Sequence, residues 1–326
     1  QAGVARADIT PAVGIPMVGF AGRGPSTDAR DPLYATCLAL RDGSATALLI
    51  QCDLLQLRAE TVADIRSHAT AATGVPASRI MLSCTHTHYG PSVDRDEEPI
   101  VDAYRAHLAH QLAGVAAEAM GEMVDARLGV TWGNCDIAIN RRERVEDGSI
   151  RLGNNPDGPV DRALGVARID TADGVPLACL VNFACHPVSQ GGRMQSLSAD
   201  FPGSAREVVE ELTGAHTLYL QGACGDLNPV IMAHAGTGTQ AAGSTRTNRR
   251  ARLASGWGVR SSTCGSGSRR RRRTAWPQRR PPKTCRATCM APRTPPLRWR
   301  RSSPSSSRAW RRPAATKAAS IGRRYA

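Results

Sequence analysis

The distribution of acidic residues divides this sequence into two unlike parts. Asp226 is the last acidic residue, so residues 1–226 contain all 28 Asp and Glu and 18 of the 42 Lys and Arg, a net charge of −10. The last 100 residues contain the other 24 basic residues, a net charge of +24, with no Phe and only seven Ile, Val and Leu. Burial of so few apolar side chains cannot offset the conformational entropy that the chain loses on folding. A folded domain is therefore expected only in the first part.

Two interpretations of the basic segment remain open. Arg, Pro, Ser, Ala, Gly and Trp are the residues that G+C-rich codons yield when read out of frame, and runs such as RRRRR at 269–273 fit a shifted frame beginning after Pro229. The alternative is a genuine Arg-rich tail that binds nucleic acid or an acidic membrane surface by counterion release. Either origin predicts that residues 231–326 are disordered.

Hydrophobic patterning in the first part predicts an α/β fold with mixed β-sheets flanked by helices. Helical spacing predicts helices over 58–73, 99–122 and near 201–212. Gly74 is expected to end the first helix, and the apolar stripe expected on the second comprises Ile100, Ala103, Tyr104, His107 and Leu108. Shorter β-rich runs predict strands over 3–11, 78–88, 126–136 and 216–226. They also predict a hairpin in 35–55 around Asp42-Gly43-Ser44 and a hairpin in 163–187 around Ala172-Asp173-Gly174.

Cysteines and apolar runs exclude two classes of protein. Residues 1–226 contain seven Cys without CxxC spacing, which favours buried thiols over a disulfide framework. No run of 18 or more apolar residues is present, so no transmembrane segment is expected. The chain opens on Gln1, which fits either a removed signal peptide or a fragment.

Histidines lie at the ends of two predicted apolar segments. His86 and His88 lie in SCTHTHYGP (83–91), and His186 follows the second strand of the 163–187 hairpin. In extended backbone, side chains two residues apart point to the same face, so His86 and His88 are expected to point the same way. Imidazoles from separate strands suit zinc, which predicts a zinc hydrolase. The alternative is that these are ordinary hydrogen-bonded histidines at strand ends. The other histidines of the first part are expected to be solvated or to pack against helices: His68, His107 and His110 on predicted helices and His216 at a strand start.

Five segments, in order, resemble the neutral/alkaline (non-lysosomal) ceramidase family: ADITP (7–11), SCTHTHYGPS (83–92), INRR (139–142), VNFACHPVS (181–189) and QGACGDLNP (221–229). The resemblance implies a partial ceramidase-like catalytic domain over residues 1–230, with residues 231–326 as the tail. It implies a zinc cofactor and hydrolysis of the amide bond of an N-acylsphingosine or a related lipid amide. It also implies a secreted or periplasmic location.

The resemblance assigns site residues position by position. His86 and His186 match zinc ligands, and His88 lies in or beside the site as a catalytic residue. Asn140 and Arg141 match a segment near the substrate pocket, although a solvated turn is the alternative.

Two departures from the family pattern affect the predicted catalysis. Asn228 stands where the family carries a Ser proposed to act in catalysis, and its amide could polarise a carbonyl but not replace a hydroxyl. Asp226 is expected either to orient a ligand or zinc-bound water, or simply to cap the following turn.

The family completes its zinc shell with a Glu and a Tyr, but after Asp226 this chain has no Glu and only Tyr325. An inactive chain that has lost these ligands is therefore one expectation.

Two competing functions remain. Another zinc hydrolase with an HxH motif, such as a metallo-β-lactamase-like enzyme, is disfavoured because the HxHxDH pattern is absent: Tyr89 and Gly90 follow His88. A nucleic-acid-binding protein acting through the Arg-rich tail would show affinity that falls steeply with salt.

Overall fold

The computed structural model describes residues 1–94 and 98–231. The predictions for residues 232–326 of the basic segment therefore lie outside the described residues. Within the described ranges there are three α-helices: α1 (Ala59–Thr73), α2 (Pro99–Gly121) and α3 (Asp200–Thr213). The strands are β1 (Ala2–Asp8), β2 (Asp28–Ala29), β3 (Tyr34–Asp42), β4 (Ala45–Cys52), β5 (Ile80–Cys84), β6 (Ala126–Asn134), β7 (Ala138–Arg144), β8 (Ile150–Asn155), β9 (Ala163–Thr171), β10 (Pro176–Phe183), β11 (Ser196–Leu197), β12 (His216–Gln221) and β13 (Leu227–Pro229).

The first sheet has the order β1-β3-β4-β5 and is covered by α1 and α2. The predicted hairpin forms β3 and β4, and its turn uses Gly43 at a φ of 55°. β5 then adds in parallel to β4. Ile65 of α1 and Leu108 of α2 pack against the buried alanine, leucine, isoleucine and cysteine side chains of β3 and β4. This sheet and its two helices therefore form the larger part of the core.

The second sheet has the order β12-β10-β9-β6, and its hairpin β9–β10 lies where the sequence predicts it. β12 pairs in parallel with β10. Phe201 of α3 packs edge-on against Tyr219 of β12, with ring centroids 5.8 Å apart. Leu38 of the first sheet is buried in one cluster with Ile169 and Leu218 of the second, so the two sheets pack against each other.

A third, three-stranded sheet of order β13-β7-β8 was not predicted from the sequence. β7 and β8 pair antiparallel, and β13 pairs with the other edge of β7. β7 and β8 are rich in Arg, Asn and Glu, and this composition hid their strand character. The fold class nevertheless agrees with the prediction: an α/β fold with mixed sheets and flanking helices.

The helices agree with prediction in position, but α2 buries a different face. Gly74 ends α1 in the left-handed conformation, as predicted. In α2 the predicted stripe included Ile100, Ala103 and His107, which are exposed; the buried residues are Val101, Tyr104, Leu108, Ala109, Leu112, Ala113, Val115, Ala116 and Ala119. Because α2 contacts α1 on one side and β1 and β3 on another, its apolar face is wider than a single stripe.

The expectation of buried, unpaired thiols is confirmed for the described residues. All seven cysteines of this part are free, and all but the half-buried Cys84 are buried. None of the described helices is long and apolar enough to cross a membrane.

Candidate metal centre

Three histidines meet where β5 and β10 end. β5 ends at Cys84, so His86 and His88 lie in the loop that follows it, and His186 lies three residues beyond β10. The predicted strand through His88 is therefore too long. His86 has a φ of 67°, in the left-handed region, because the chain turns there to follow the loop after β4, with the His86 N–H donating to the Leu54 carbonyl at 3.0 Å. The alternation expected for a strand does not apply, and loop curvature brings the two rings together.

The imidazole rings form a compact triangle. Ring centroids are 5.1 Å apart for His86 and His88, 4.9 Å for His86 and His186, and 5.3 Å for His88 and His186. One nitrogen from each ring lies within 4.8 Å of the other two. Among the described residues, this is the one group of three or more His, Cys, Asp or Glu side chains with spacing suited to a metal ion.

Hydrogen bonds to backbone carbonyls orient all three rings through Nδ1. His86 Nδ1 lies 2.9 Å from the Leu55 carbonyl oxygen, and His88 Nδ1 lies 2.9 Å from the carbonyl oxygen of Gly19. His186 Nδ1 contacts two carbonyl oxygens, those of Cys224 at 2.6 Å and Leu227 at 3.2 Å. A carbonyl only accepts, so each Nδ1 carries the proton and each Nε2 keeps its lone pair. A hydrogen bond from the other ring nitrogen to a backbone carbonyl is typical of zinc-binding histidines.

One of the Nε2 atoms provides an independent test of fit to a metal. His88 Nε2 is buried and has no hydrogen-bond partner in the described part of the chain. A buried polar atom without a partner costs free energy unless something else satisfies it. A cation with an affinity for imidazole would supply the missing partner, so the residues present fit a zinc ion.

Burial and neighbouring charges favour the neutral form of His88 and His186, which is the form that binds metal. Burial is the main cause that lowers the pKa of His88 to about 3, and repulsion from His86 and His186 lowers it further. Burial also lowers the pKa of His186 to about 4, and the positive charge of Arg141 is the next largest cause.

Arg141 lies beside this cluster on β7. Its Nε donates to the Gly225 carbonyl at 2.9 Å, and its Nη1 lies 3.4 Å from Oδ1 of Asn228. The pairing of β7 with β8 shifts register between Asn140 and Arg142, and such irregularities re-aim side chains. Burial, followed by the neighbouring charge of Arg142, lowers the pKa of Arg141.

The other predicted site residues have well-defined surroundings. Asn140 is buried, so the solvated-turn alternative is wrong for it; its side chain donates to the Pro159 carbonyl at 2.9 Å and accepts from Arg142 N at 2.9 Å. Asn228 is buried on β13. Asp226 is exposed, and its carboxylate accepts a hydrogen bond from Arg142 Nε at 2.6 Å. The carbonyl oxygens that accept hydrogen bonds from the His186 ring belong to Cys224 and Leu227, which lie on either side of Asp226 in the sequence. Catalytic roles for Asp226, Asn228 and His88 remain predictions.

Several contributors to the centre carry little or no sequence signal. The backbone carbonyls of Gly19, Leu55 and Cys224 orient the rings, and any residue type supplies a carbonyl. Phe20 packs edge-on against His88 at a centroid distance of 5.2 Å. Gly19 has a φ of 108°, and a Cβ there would lie 2.8 Å from Nδ1 of His88. The glycines of MVGFAGRG were the only available hint.

The remaining described histidines lie apart from the centre, as predicted. His68 of α1 and His110 of α2 pack edge-to-face with ring centroids 4.7 Å apart. His107 is exposed on α2, and His216 begins β12.

Comparisons with known proteins identify the fold. No protein-family model matches the sequence, and no curated protein matches it. A crystal structure of neutral ceramidase from Pseudomonas aeruginosa matches with a TM-score of 0.64 and 17% identity, covering 78% of this chain and 43% of that one. A structure of a ceramidase complexed with C2 matches with a TM-score of 0.57 and 19% identity, covering 70% of this chain and 38% of that one.

The chain therefore has a neutral ceramidase-like fold, as the sequence motifs indicate. It spans about two fifths of the length of the solved structures that it matches.

Proposed function

We propose that His86, His88 and His186 form the zinc site of a ceramidase-like hydrolase that cleaves the amide bond of an N-acylsphingosine or a related lipid amide. The observation that carries the proposal is the common orientation of the three rings: each Nδ1 is held by a backbone carbonyl, and the three side chains converge. Histidines that are merely hydrogen-bonded at strand ends are not expected to share this arrangement.

The donor set suits a catalytic rather than a structural metal. Catalytic zinc sites use three protein ligands and leave a fourth position for water or substrate, whereas structural sites are closed by four protein ligands. His86 and His186 would serve as the ligands predicted from the sequence, and the convergence of His88 adds a third. Zinc, when bound, polarises a carbonyl and lowers the pKa of a coordinated water to about 7, which supplies a nucleophile at neutral pH.

Arg141 supplies positive charge next to this centre. The guanidinium is held by Gly225 and Asn228, and it influences the pKa of both His88 and His186. A fixed positive group of this kind stabilises negative charge that develops on the oxygen of an attacked carbonyl. We assign Asn228 the role of holding Arg141, since an amide has no ionisable hydroxyl to act as a nucleophile. Asp226 pairs with Arg142, the residue next to Arg141, and is therefore assigned a role farther from the histidines.

The substrate class is supported by the fold similarity to neutral ceramidase and by the matching motifs. A secreted or periplasmic location belongs to the same proposal. Cell fractionation of the native host would test the location, and recovery in the cytoplasm would contradict it.

The test of function measures zinc uptake and hydrolysis separately on the full chain. After dialysis against zinc and then buffer, we expect stoichiometric zinc by mass spectrometry and release of fatty acid from a fluorescent N-acylsphingosine. The double variant H86A/H186A should lose both. H68A/H110A is the matched control, since it removes two histidines that also contact each other but lie on helices.

The outcomes distinguish the parts of the proposal. Retention of stoichiometric zinc by H86A/H186A would overturn the assignment of the ligands. Zinc uptake without hydrolysis of any lipid amide would support the metal centre but contradict hydrolysis by this chain, and it would agree with the expectation of an inactive chain that lacks the family's Glu and Tyr ligands.

A further inference from the structure

Gln221 lies between the two segments that carry the histidines. It is the last residue of β12, and its side-chain Nε2 donates to the Thr85 carbonyl at 3.0 Å and to the Cys185 carbonyl at 2.9 Å. Its Oε1 accepts a hydrogen bond from the Cys185 backbone N–H at 3.2 Å. One half-buried amide group thus makes three hydrogen bonds to the backbone of two loops.

The residues that it contacts are the ones immediately before two of the histidines. Thr85 precedes His86, and Cys185 precedes His186. The two loops leave different sheets: β5 is an edge strand of the first sheet, whereas β10 is an inner strand of the second. Backbone pairing within either sheet therefore does not determine how far His86 lies from His186.

Other contacts between the loops lie beyond the first histidine. The His88 N–H donates to the Pro187 carbonyl at 3.2 Å, on the far side of both His86 and His186. Gln221 joins the two loops at the other end, where each loop leaves its sheet. The same segment continues to Cys224 and Leu227, whose carbonyls orient His186.

We propose that Gln221 is a positioning residue for the metal centre: its amide sets the spacing of His86 and His186 by joining Thr85 to Cys185. The inference rests on the proposed metal site and adds a residue to it. The chemistry requires an amide, because only a carboxamide presents two donors and an acceptor on one short planar group. A carboxylate of the same shape would turn an acceptor toward both carbonyls, and an apolar side chain would leave them without a donor.

The test compares Gln221→Met with Gln111→Met. Met keeps a side chain of similar length but removes the donors and the acceptor. Gln111 of α2 is the matched control, since it is also half-buried and its amide donates to a backbone carbonyl, that of Asp8, at 3.1 Å, away from the histidines. Loss of a group that positions a metal ligand typically weakens metal binding about 10- to 100-fold, so we expect that loss of zinc affinity in Gln221→Met alone.

Two further measurements separate positioning from general destabilisation. The visible absorption of bound Co²⁺ reports the coordination geometry, and its bands should shift in Gln221→Met but not in Gln111→Met. In the metal-free protein, proton cross-relaxation between the His86 and His186 rings should be present in the wild type and weakened in Gln221→Met. If Met at this position prevents folding, Gln221→Asn keeps the amide but shortens its reach, and the same shifts are expected.

The outcomes separate this inference from the proposed function. A folded Gln221→Met protein with wild-type zinc affinity, cobalt spectrum and ring contact would overturn the role of Gln221 while leaving the metal site intact. A wild-type chain that takes up neither zinc nor cobalt would overturn the proposed metal site. In that case the ring contact in the metal-free protein still decides the role of Gln221, and its persistence in Gln221→Met would overturn that role as well.

Discussion

The Gly19 backbone carbonyl accepts a hydrogen bond from Nδ1 of His88 at 2.9 Å, although the two residues are 69 positions apart. The N-terminal loop that contains Gly19 therefore orients a histidine of the candidate metal centre. The contact is close because glycine has no side chain, and the φ of 108° at Gly19 favours glycine as well.

The first prediction uses this contact. Gly19→Ala places a Cβ 2.8 Å from both Cγ and Nδ1 of His88, so the ring must move and zinc affinity should fall about 10- to 100-fold. Gly14→Ala is the matched control, because Gly14 also has a positive φ, 95°, but a Cβ there meets nothing within 4 Å. Both variants should lose stability through backbone strain, whereas only Gly19→Ala should lose zinc affinity in a competition titration. Equal zinc affinities would contradict the role given to His88.

The second prediction concerns the tautomers of the three imidazoles. Because Nδ1 of His86, His88 and His186 each faces a carbonyl oxygen, all three should carry the proton on Nδ1 at neutral pH. Nitrogen-15 chemical shifts in the metal-free protein measure this directly. Added zinc should then shift the Nε2 signals of these three residues and leave those of His68 and His110 unchanged. An Nε2–H tautomer at His186 would contradict the proposed ligand orientation.

The third prediction concerns a buried ion pair behind the His86 loop. Arg206 Nη1 donates to Asp53 Oδ2 at 2.8 Å, and both side chains are almost fully buried. Arg206→Met leaves the Asp53 charge buried without its cation, and breaking such a pair costs about 3–5 kcal/mol. Urea denaturation should show a correspondingly lower free energy of unfolding. Arg162→Met is the control, since Arg162 pairs with Asp136 at the exposed surface, where such a pair contributes about 0–1 kcal/mol.

Loss of the Arg206–Asp53 ion pair should also disturb the candidate metal centre. Asp53 precedes Leu54 and Leu55, whose carbonyls accept from the backbone and the ring of His86. We therefore expect weaker zinc binding in Arg206→Met at urea concentrations where the protein is still folded. Unchanged stability would show that the Asp53 charge finds another partner.

The fourth prediction is a pH dependence of stability set by Glu210. Burial raises the pKa of Glu210, but the hydrogen bond and charge of Arg6, the Thr217 N–H and the charge of Arg206 outweigh burial and hold it below its ordinary value. A carboxyl whose pKa is lower in the folded state contributes stability above its unfolded pKa of about 4.3, and this contribution is lost as pH falls through the folded pKa.

Glu210→Gln should therefore be less stable than the wild type at neutral pH, and the difference should shrink as pH falls below about 4.3. Melting temperatures measured from neutral to acidic pH provide the test. Glu211→Gln is the control, because Glu211 is the next residue on α3 and its side chain is exposed. A stability difference that is independent of pH would show that Glu210 acts through packing rather than charge.

Local sequence patterns were sufficient for most of the secondary structure. Apolar runs and turn residues located the hairpins around Gly43 and Gly174, and Gly74 marked the end of α1. They failed for β7 and β8, because these polar strands owe their structure to pairing with each other and with β13 rather than to apolar alternation. The buried face of α2 was also misjudged, since its burial depends on contacts with α1 and with the first sheet.

For the candidate site, the sequence by itself determined which residue types were available and where along the chain they occur. His86, His88 and His186 could be selected because histidine next to apolar strands is a chemical signal that a sequence displays. Only the tertiary structure decided that the three rings meet, since their spacing depends on the packing of two separate sheets and on the left-handed backbone of His86. Likewise, the orienting groups are backbone carbonyls and the amide of Gln221. Every residue type carries a backbone carbonyl, so its role is defined by its position in space and not by its identity in the sequence.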